Sequence, residues 1–345
     1  NGYNVAVGFQ AGYGVTSGVK NTIIGSLAGD ALTTGVENTA IGYFALSTED
    51  TGNYNVAIGK GALAVLNFDG NGYNTAVGYN AGSAATSGVQ NTLIGGLAGD
   101  ALTTGTANVA VGYLALSTED TGSSNVAIGN SALKMQDAGA DAYNVAVGYN
   151  AGIAVSTGIR NILIGANAGD ALTTGDYNVA IGHEALSTED AHGRNVAVGY
   201  RALRDMNAGS DGYSVAIGYV AGENITTGPN NVIIGGVAGD ALTTGGNNIA
   251  IGVGALGAED GSSYNIAIGT NALTAQDAGA DAYNVAIGHN AGTAVTTGTD
   301  NTLIGAFAGD ALTTGPYNVA IGRSALTTED AYGYNVAIGA FALLN

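Results

Sequence analysis

A self-similarity at a fixed step constrains this chain more than any other feature. With the Asn of NVAVG at Asn4 taken as position zero, equivalent segments begin at Asn21, Asn38 and Asn55, then at Asn74, Asn91, Asn108 and Asn125, and so on through Asn335. The steps run 17, 17, 17 and 19 residues, a 70-residue super-repeat, and twenty units fit in 345 residues. Val or Ile stands at position three, Gly at four and Ala at seven in all twenty, and position zero is Asn in nineteen, with Ser214 the exception. A short period of this kind makes each unit a layer that is stable only against its neighbours.

A step of 17 is too short for a helix pair, and no unit spaces its apolar residues as a helix does. Each offers one β-branched stretch of about four residues, NVAIG or NTLIG, closed by Gly. The prediction is therefore an all-β parallel β-solenoid of about 20 coils. At about 4.8 Å per coil it would form a rod of roughly 95 Å. Residues 1–345 read as one repetitive domain, with super-repeats 4–73, 74–143, 144–213, 214–283 and 284–345. Stacked Asn side chains are expected to form an amide ladder. Gly at four is expected to supply positive φ or a close backbone approach where the strand turns, and Ala at seven to mark a tight crossing of two segments.

Positions one and three lie on one strand face and position two on the other. The first two are Val, Ile, Thr or Leu; position two is Ala in three units of each four and Ile or Leu in the fourth (Ile23, Leu93, Leu163, Ile233, Leu303). A strand apolar on both faces is normally covered on both. Ordering a 17-residue coil costs about 20 kcal/mol of backbone entropy. Burial of its apolar side chains returns about 8 kcal/mol, and eight ladder hydrogen bonds return about as much again. Identical neighbours covering the second face would close the difference, so a homo-oligomer is expected, most simply a homotrimer. A dimer, or one chain wrapped around a wider core, would meet the same need.

NTAIGYFALSTEDTGNYNVAIGKGAL, at 38–63, resembles the Asn-Thr-Ala-Ile-Gly-Tyr repeats of phage tail-fibre-like proteins. Its core, N-x-V-A-I-G-x-x-A, is similar to the head repeat of trimeric autotransporter adhesins. The resemblance spans essentially the whole chain. It implies a left-handed β-roll in a trimer, at a virion, cell-surface or otherwise extracellular site. It also implies a structural shaft or adhesive fibre segment; the aromatic and paired-hydroxyl columns described below offer a direct glycan-binding adhesin or an ice-binding solenoid as alternatives. Collagen binding is not carried over, because Ser214–Gly218 gives SVAIG preceded by Tyr213. The pattern begins and stops mid-repeat, so the chain reads as a segment of something longer, with uncapped ends that invite filament formation.

Composition narrows the partners. Eight basic residues against 27 acidic ones give a net charge of -19. Such a polyanion repels phosphate backbones, which argues against nucleic-acid binding. No apolar run approaches the roughly 18 residues of a membrane helix, so no membrane insertion is expected. The absence of Cys excludes disulfides and thiolate metal sites.

Three motifs invite chemistry. The heptapeptide GDALTTG recurs at Gly29, Gly99, Gly169, Gly239 and Gly309. Its Asp comes once in four coils, too far apart to share a metal within one chain, and reads as an Asx-type turn. Position twelve carries Asp50, Asp120, Asp190, Asp260 and Asp330, each after a Glu (Glu49, Glu119, Glu189, Glu259, Glu329), and reads as a charged solvated corner. In the 19-residue coils the same column carries Asn67, Asp137, Asn207 and Asp277. Stacking Asp120 over Asp137 and Asp260 over Asp277, with Asp141 and Asp281 from the longer loops, would make an oxygen-rich cluster suited to Ca²⁺; no other cofactor is expected.

Position five holds a stripe of aromatics (Tyr43, Tyr79, Tyr113, Tyr149), suited to packing on a neighbouring chain or stacking on sugars, with His183 and His289 in the same column. Paired hydroxyls (Thr16 with Ser17, Thr33 with Thr34, Thr226 with Thr227, Thr296 with Thr297) could form a flat ice-binding array, but Asp at position twelve interrupts it. No Ser, His and Asp recur at fixed offsets, and His192 stands in a context unlike the other two. No enzymatic activity is expected.

Overall fold

A computed structural model describes residues 2–258, 260–328 and 331–344. The chain divides into two compact units, Asn1–Asp176 and Tyr177–Asn345. The first carries ten three-residue strands, β1 (Val5–Val7) to β10 (Ile162–Ile164), and the second ten more, β11 (Val179–Ile181) to β20 (Val336–Ile338). Each unit is a parallel β-solenoid in which successive strands of that unit pair side by side, one coil apart.

In a 17-residue step Thr39, Ala40 and Ile41 face Val56, Ala57 and Ile58. In the following 19-residue step Val56, Ala57 and Ile58 face Thr75, Ala76 and Val77. The two additional residues leave the strand register untouched and are absorbed at a corner. The ladder continues beyond the strands. Leu27 N–H donates to Phe9 O at 2.9 Å and Gly29 N–H to Ala45 O at 2.9 Å. Most of the coil thus has a backbone partner in the next coil, which a segment lacking helices and long strands requires.

The second strand residue points inward. It is buried in every strand except β1, and Ile23, Leu93, Leu163, Ile233 and Leu303 fill the interior alongside the Ala of position seven. Positions one and three are half-buried or exposed throughout, with Ile94 38%, Ile128 37% and Ile162 39% exposed. The doubly apolar strand therefore has one face in the coil and one on the surface of the single chain.

Each coil turns by left-handed backbone. Gly at four has φ between 125° and 147° in all twenty units. A Cβ added at Gly42 would stand 2.5 Å from Gly59 O, so this glycine is required for both reasons expected, backbone conformation and close approach. The residue before the Asn and those at six and eight are also left-handed in every unit, among them Tyr54 (φ 62°), Leu27 (φ 55°) and Leu46 (φ 51°). Non-glycine residues rarely adopt this region. Here the ladder and the buried column fix the corner, and a side chain that must point inward, such as Leu46, occupies it.

The Asn column differs from an amide-on-amide stack. Asn91 Oδ1 accepts the backbone N–H of Asn108 at 2.9 Å, while its Nδ2 donates to Gly105 O at 2.9 Å. An Asn that opens a 17-residue coil in this way ties the next coil's backbone and the closing turn of its own coil. Direct amide contacts are few, as between Asn74 Nδ2 and Asn55 Oδ1 at 3.2 Å. In the 19-residue coils the longer corner moves the closing carbonyl away, and the Nδ2 of Asn55, Asn125, Asn195 and Asn265 is buried without a partner.

Candidate functional site

GDALTTG is a structural turn whose parts have separate tasks. Gly29 (φ 48°) passes over Ile23, Leu32 is fully buried, and Thr33 gives both its N–H (2.7 Å) and its Oγ1 (2.9 Å) to Asp50 O in the next coil. At Asp30, Asp100 and Asp310 the buried Oδ1 makes no Asx bond and has no other hydrogen-bond partner. The carbonyl of Asp30 accepts from Gly14 N–H at 2.9 Å. Burial pushes the carboxyls of Asp100, Asp240 and Asp310 above the usual aspartate range, partly offset by each residue's own backbone N–H.

The acidic corner is not uniformly solvated. Glu49, Glu119 and Glu189 are fully buried. They stand at position eleven, the inward column that holds Val15, Leu32 and Leu66 in neighbouring coils. Glu119 Oε1 accepts Gly122 N–H at 2.7 Å, and Oε2 accepts Ala138 N–H at 3.4 Å from the long corner of the following coil. Glu49 does the same with Gly52 (2.7 Å) and Phe68 (3.2 Å), and Glu189 with His192 (3.0 Å) and Ala208 (3.4 Å). A buried carboxylate therefore clamps three of the 19-residue corners onto the 17-residue coil before each. Desolvation raises the pKa of Glu49 and Glu119 above the usual glutamate range, and the backbone donors offset part of that rise. Glu259, Glu329 and Asp330 lie outside the described residues.

The residues expected to hold calcium come together in part. One carboxylate oxygen each from Glu119, Asp120 and Asp137 lies within 4.8 Å of the others. Asp260 and Asp277 also meet, and the charge of Asp260 raises the pKa of Asp277. Asp141 and Asp281 are instead engaged locally, each accepting the phenol of a tyrosine two residues on, Tyr143 and Tyr283, at 3.3 Å. A second grouping, Glu189, Asp190 and His192, has no counterpart in the column reading; His192 Nδ1 stands 3.2 Å from Glu189 Oε1. Since backbone N–H groups occupy both oxygens of Glu119, Asp120 and Asp137 are the free carboxylates of that cluster, against the six to eight oxygens Ca²⁺ takes.

The remaining surface is aromatic and β-branched. Tyr43, Tyr79, Tyr113 and Tyr149 are about half exposed. The residues preceding the Asn form a second column, in which Tyr54 stacks on Tyr73 (5.1 Å, 5°), Tyr264 on Tyr283 (5.1 Å, 8°), and Arg194 lies between Tyr177 and Tyr213 at 5.7 and 5.6 Å. His183 stacks on Tyr200, and His289 meets Phe307 edge-on. The hydroxyls of Thr16, Thr33, Thr226 and Thr296 each donate to a carbonyl in the next coil, so this column is not a free hydroxyl lattice. Among the described residues no pocket opens, and no helix is long and apolar enough to cross a membrane.

These features define a parallel β-solenoid with one short strand per coil. No protein-family model, curated protein or solved structure matches the chain.

Proposed function

We propose that this chain is a non-catalytic structural segment, the shaft or adhesive portion of a phage or viral fibre or of an extracellular surface appendage, which works as a homo-oligomer. The observation that carries this reading is the outer strand face. In every described strand positions one and three bear Val, Ile or Thr, with no charged residue, although the whole chain has a net charge of -19. Ten coils of one unit, each offering two side chains with roughly 50 Å² of exposed surface apiece, present about 1,000 Å², above the roughly 800 Å² per partner of a standard interface. Copies that bring these faces together keep the acidic corners in solvent. A trimer around a common axis is the arrangement the repeat resemblance favours, and end-to-end stacking of such assemblies would extend the fibre.

Light scattering coupled to size-exclusion chromatography tests the reading. An oligomer mass supports it, and a monomer at all concentrations overturns it. A glycan array and a thermal-hysteresis assay separate a shaft from a glycan adhesin or an ice binder, since a shaft is inert in both. The meeting of Asp120 with Asp137, and of Asp260 with Asp277, supports a weak calcium association at these corners. A chelator that leaves the melting temperature unchanged would dismiss it.

A further inference from the structure

In the first unit position five carries exposed rings on alternate coils: Tyr79, Tyr113 and Tyr149 are separated by Gly96 and Asn130. Alternate coils lie about 9.6 Å apart. The second unit shows what such an interval holds. There Tyr200 occupies the intermediate position, stacked on His183 at 5.6 Å and on Tyr219 at 5.3 Å, with 10° between planes in both cases. The same column of the first unit runs from Phe9 through Tyr43 to Tyr149 with four intervals that have no ring in the middle, at Ser26, Lys60, Gly96 and Asn130; in one of them the Lys60 ammonium stands 5.5 Å from the Tyr79 ring. Above Gly96 the only neighbour of an added Cβ is the Tyr113 ring, at 3.5 Å, and the backbone there is not left-handed.

We propose that these intervals are ring-stacking slots filled by the tyrosines of a second copy of the chain, displaced by one coil and so not related to the first by the rotation axis of a level trimer, so that two tyrosine combs interdigitate. A second copy is the occupant that supplies rings at the same two-coil period and so fills every slot at once, each at the separation Tyr200 already adopts. A ring column next to an uncharged β-branched face also extends the surface read above as the self-association face, and the inference rests on that reading. Stacked aromatic pairs add about 0.5–1.5 kcal/mol each beyond area burial, which makes the comb a register device for the assembly.

The test compares the wild-type chain with two double variants by sedimentation equilibrium, with circular dichroism and melting as controls. Gly96→Tyr/Asn130→Tyr fills the slots from within, as Tyr200 does; Tyr113→Ala/Tyr149→Ala removes the rings. Both are expected to weaken self-association at least tenfold while leaving the fold and melting temperature of the monomer unchanged. Should the slot-filling variant fail to fold, the ring-removal variant decides alone. A wild-type oligomer that neither change weakens overturns the comb and leaves the self-association reading standing. A monomeric wild type overturns both. A monomer that binds a glycan array through these tyrosines overturns the proposal and assigns the slots to sugar rings.

Discussion

Asn91 shows how much one residue carries in a coil of this size. Its Oδ1 satisfies Asn108 N–H and its Nδ2 satisfies Gly105 O, both in the buried interior. Asn91→Ala orphans both groups and is expected to cost about 3 kcal/mol, from about 1–3 kcal/mol per buried unsatisfied group. The chain holds its own comparison at Ser214, where Oγ accepts Asn231 N–H at 3.2 Å but reaches Gly212 O within its own turn rather than the closing carbonyl. Asn91→Ser should therefore lose about half as much in urea denaturation, and equal losses for both variants would show that the tie to the next coil is not what matters. The Asn column and the Gly at four were legible as invariants. The form of the Asn contact was not, because stacked identical amides suggest contact with each other, whereas the backbone donor one coil on is nearer and needs the acceptor more.

At the scale of one element, the 19-residue corner depends on the glutamate of the coil before it. Glu119→Ala strands Gly122 N–H and releases Ala138, so it should destabilise by about 1–3 kcal/mol and speed proteolysis within residues 137–142. Glu119→Gln keeps an acceptor and removes a desolvated charge, and should leave stability unchanged or higher at neutral pH. Equal cleavage of the two variants would contradict the clamp. Sequence held the signal for this role, since Glu49 shares a column with Val15, Leu32 and Leu66. The adjacent Asp at position twelve points instead to a solvated corner. The strand and its register followed from period and alternation; which face turns inward did not, because both faces are apolar. The left-handed Tyr, Leu and Glu residues did not, because propensity reserves that conformation for Gly and Asn, and only the stacked ladder overrides it.

For the whole molecule, the resolved carboxyl shifts have one direction. Glu49, Glu119, Asp100, Asp240 and Asp310 are raised by burial and Asp277 by Asp260. An acid whose folded pKa exceeds its unfolded pKa binds protons more readily in the folded state. Stability is then gained as pH falls through the raised folded values, is complete below the ordinary carboxylate range, and is lost again on return to neutrality. Relief of self-repulsion at -19 acts in the same sense. The melting temperature should be higher at pH 5 than at pH 8, and a steady fall over that interval would contradict these shifts. The central claim is that one repeat makes one coil. The chain has no native Cys, so introduced pairs report directly on it. Ser26 and Tyr43, 17 residues apart, occupy the same position in adjacent coils, whereas Phe9 and Tyr43 are two coils apart. Adjacent parallel strands stand about 4.8 Å apart, within the roughly 4.4–6.8 Å Cα separation of a disulfide. Under mild oxidation of dilute protein, Ser26→Cys/Tyr43→Cys should close an intramolecular disulfide and Phe9→Cys/Tyr43→Cys should not. The opposite result would contradict the coil.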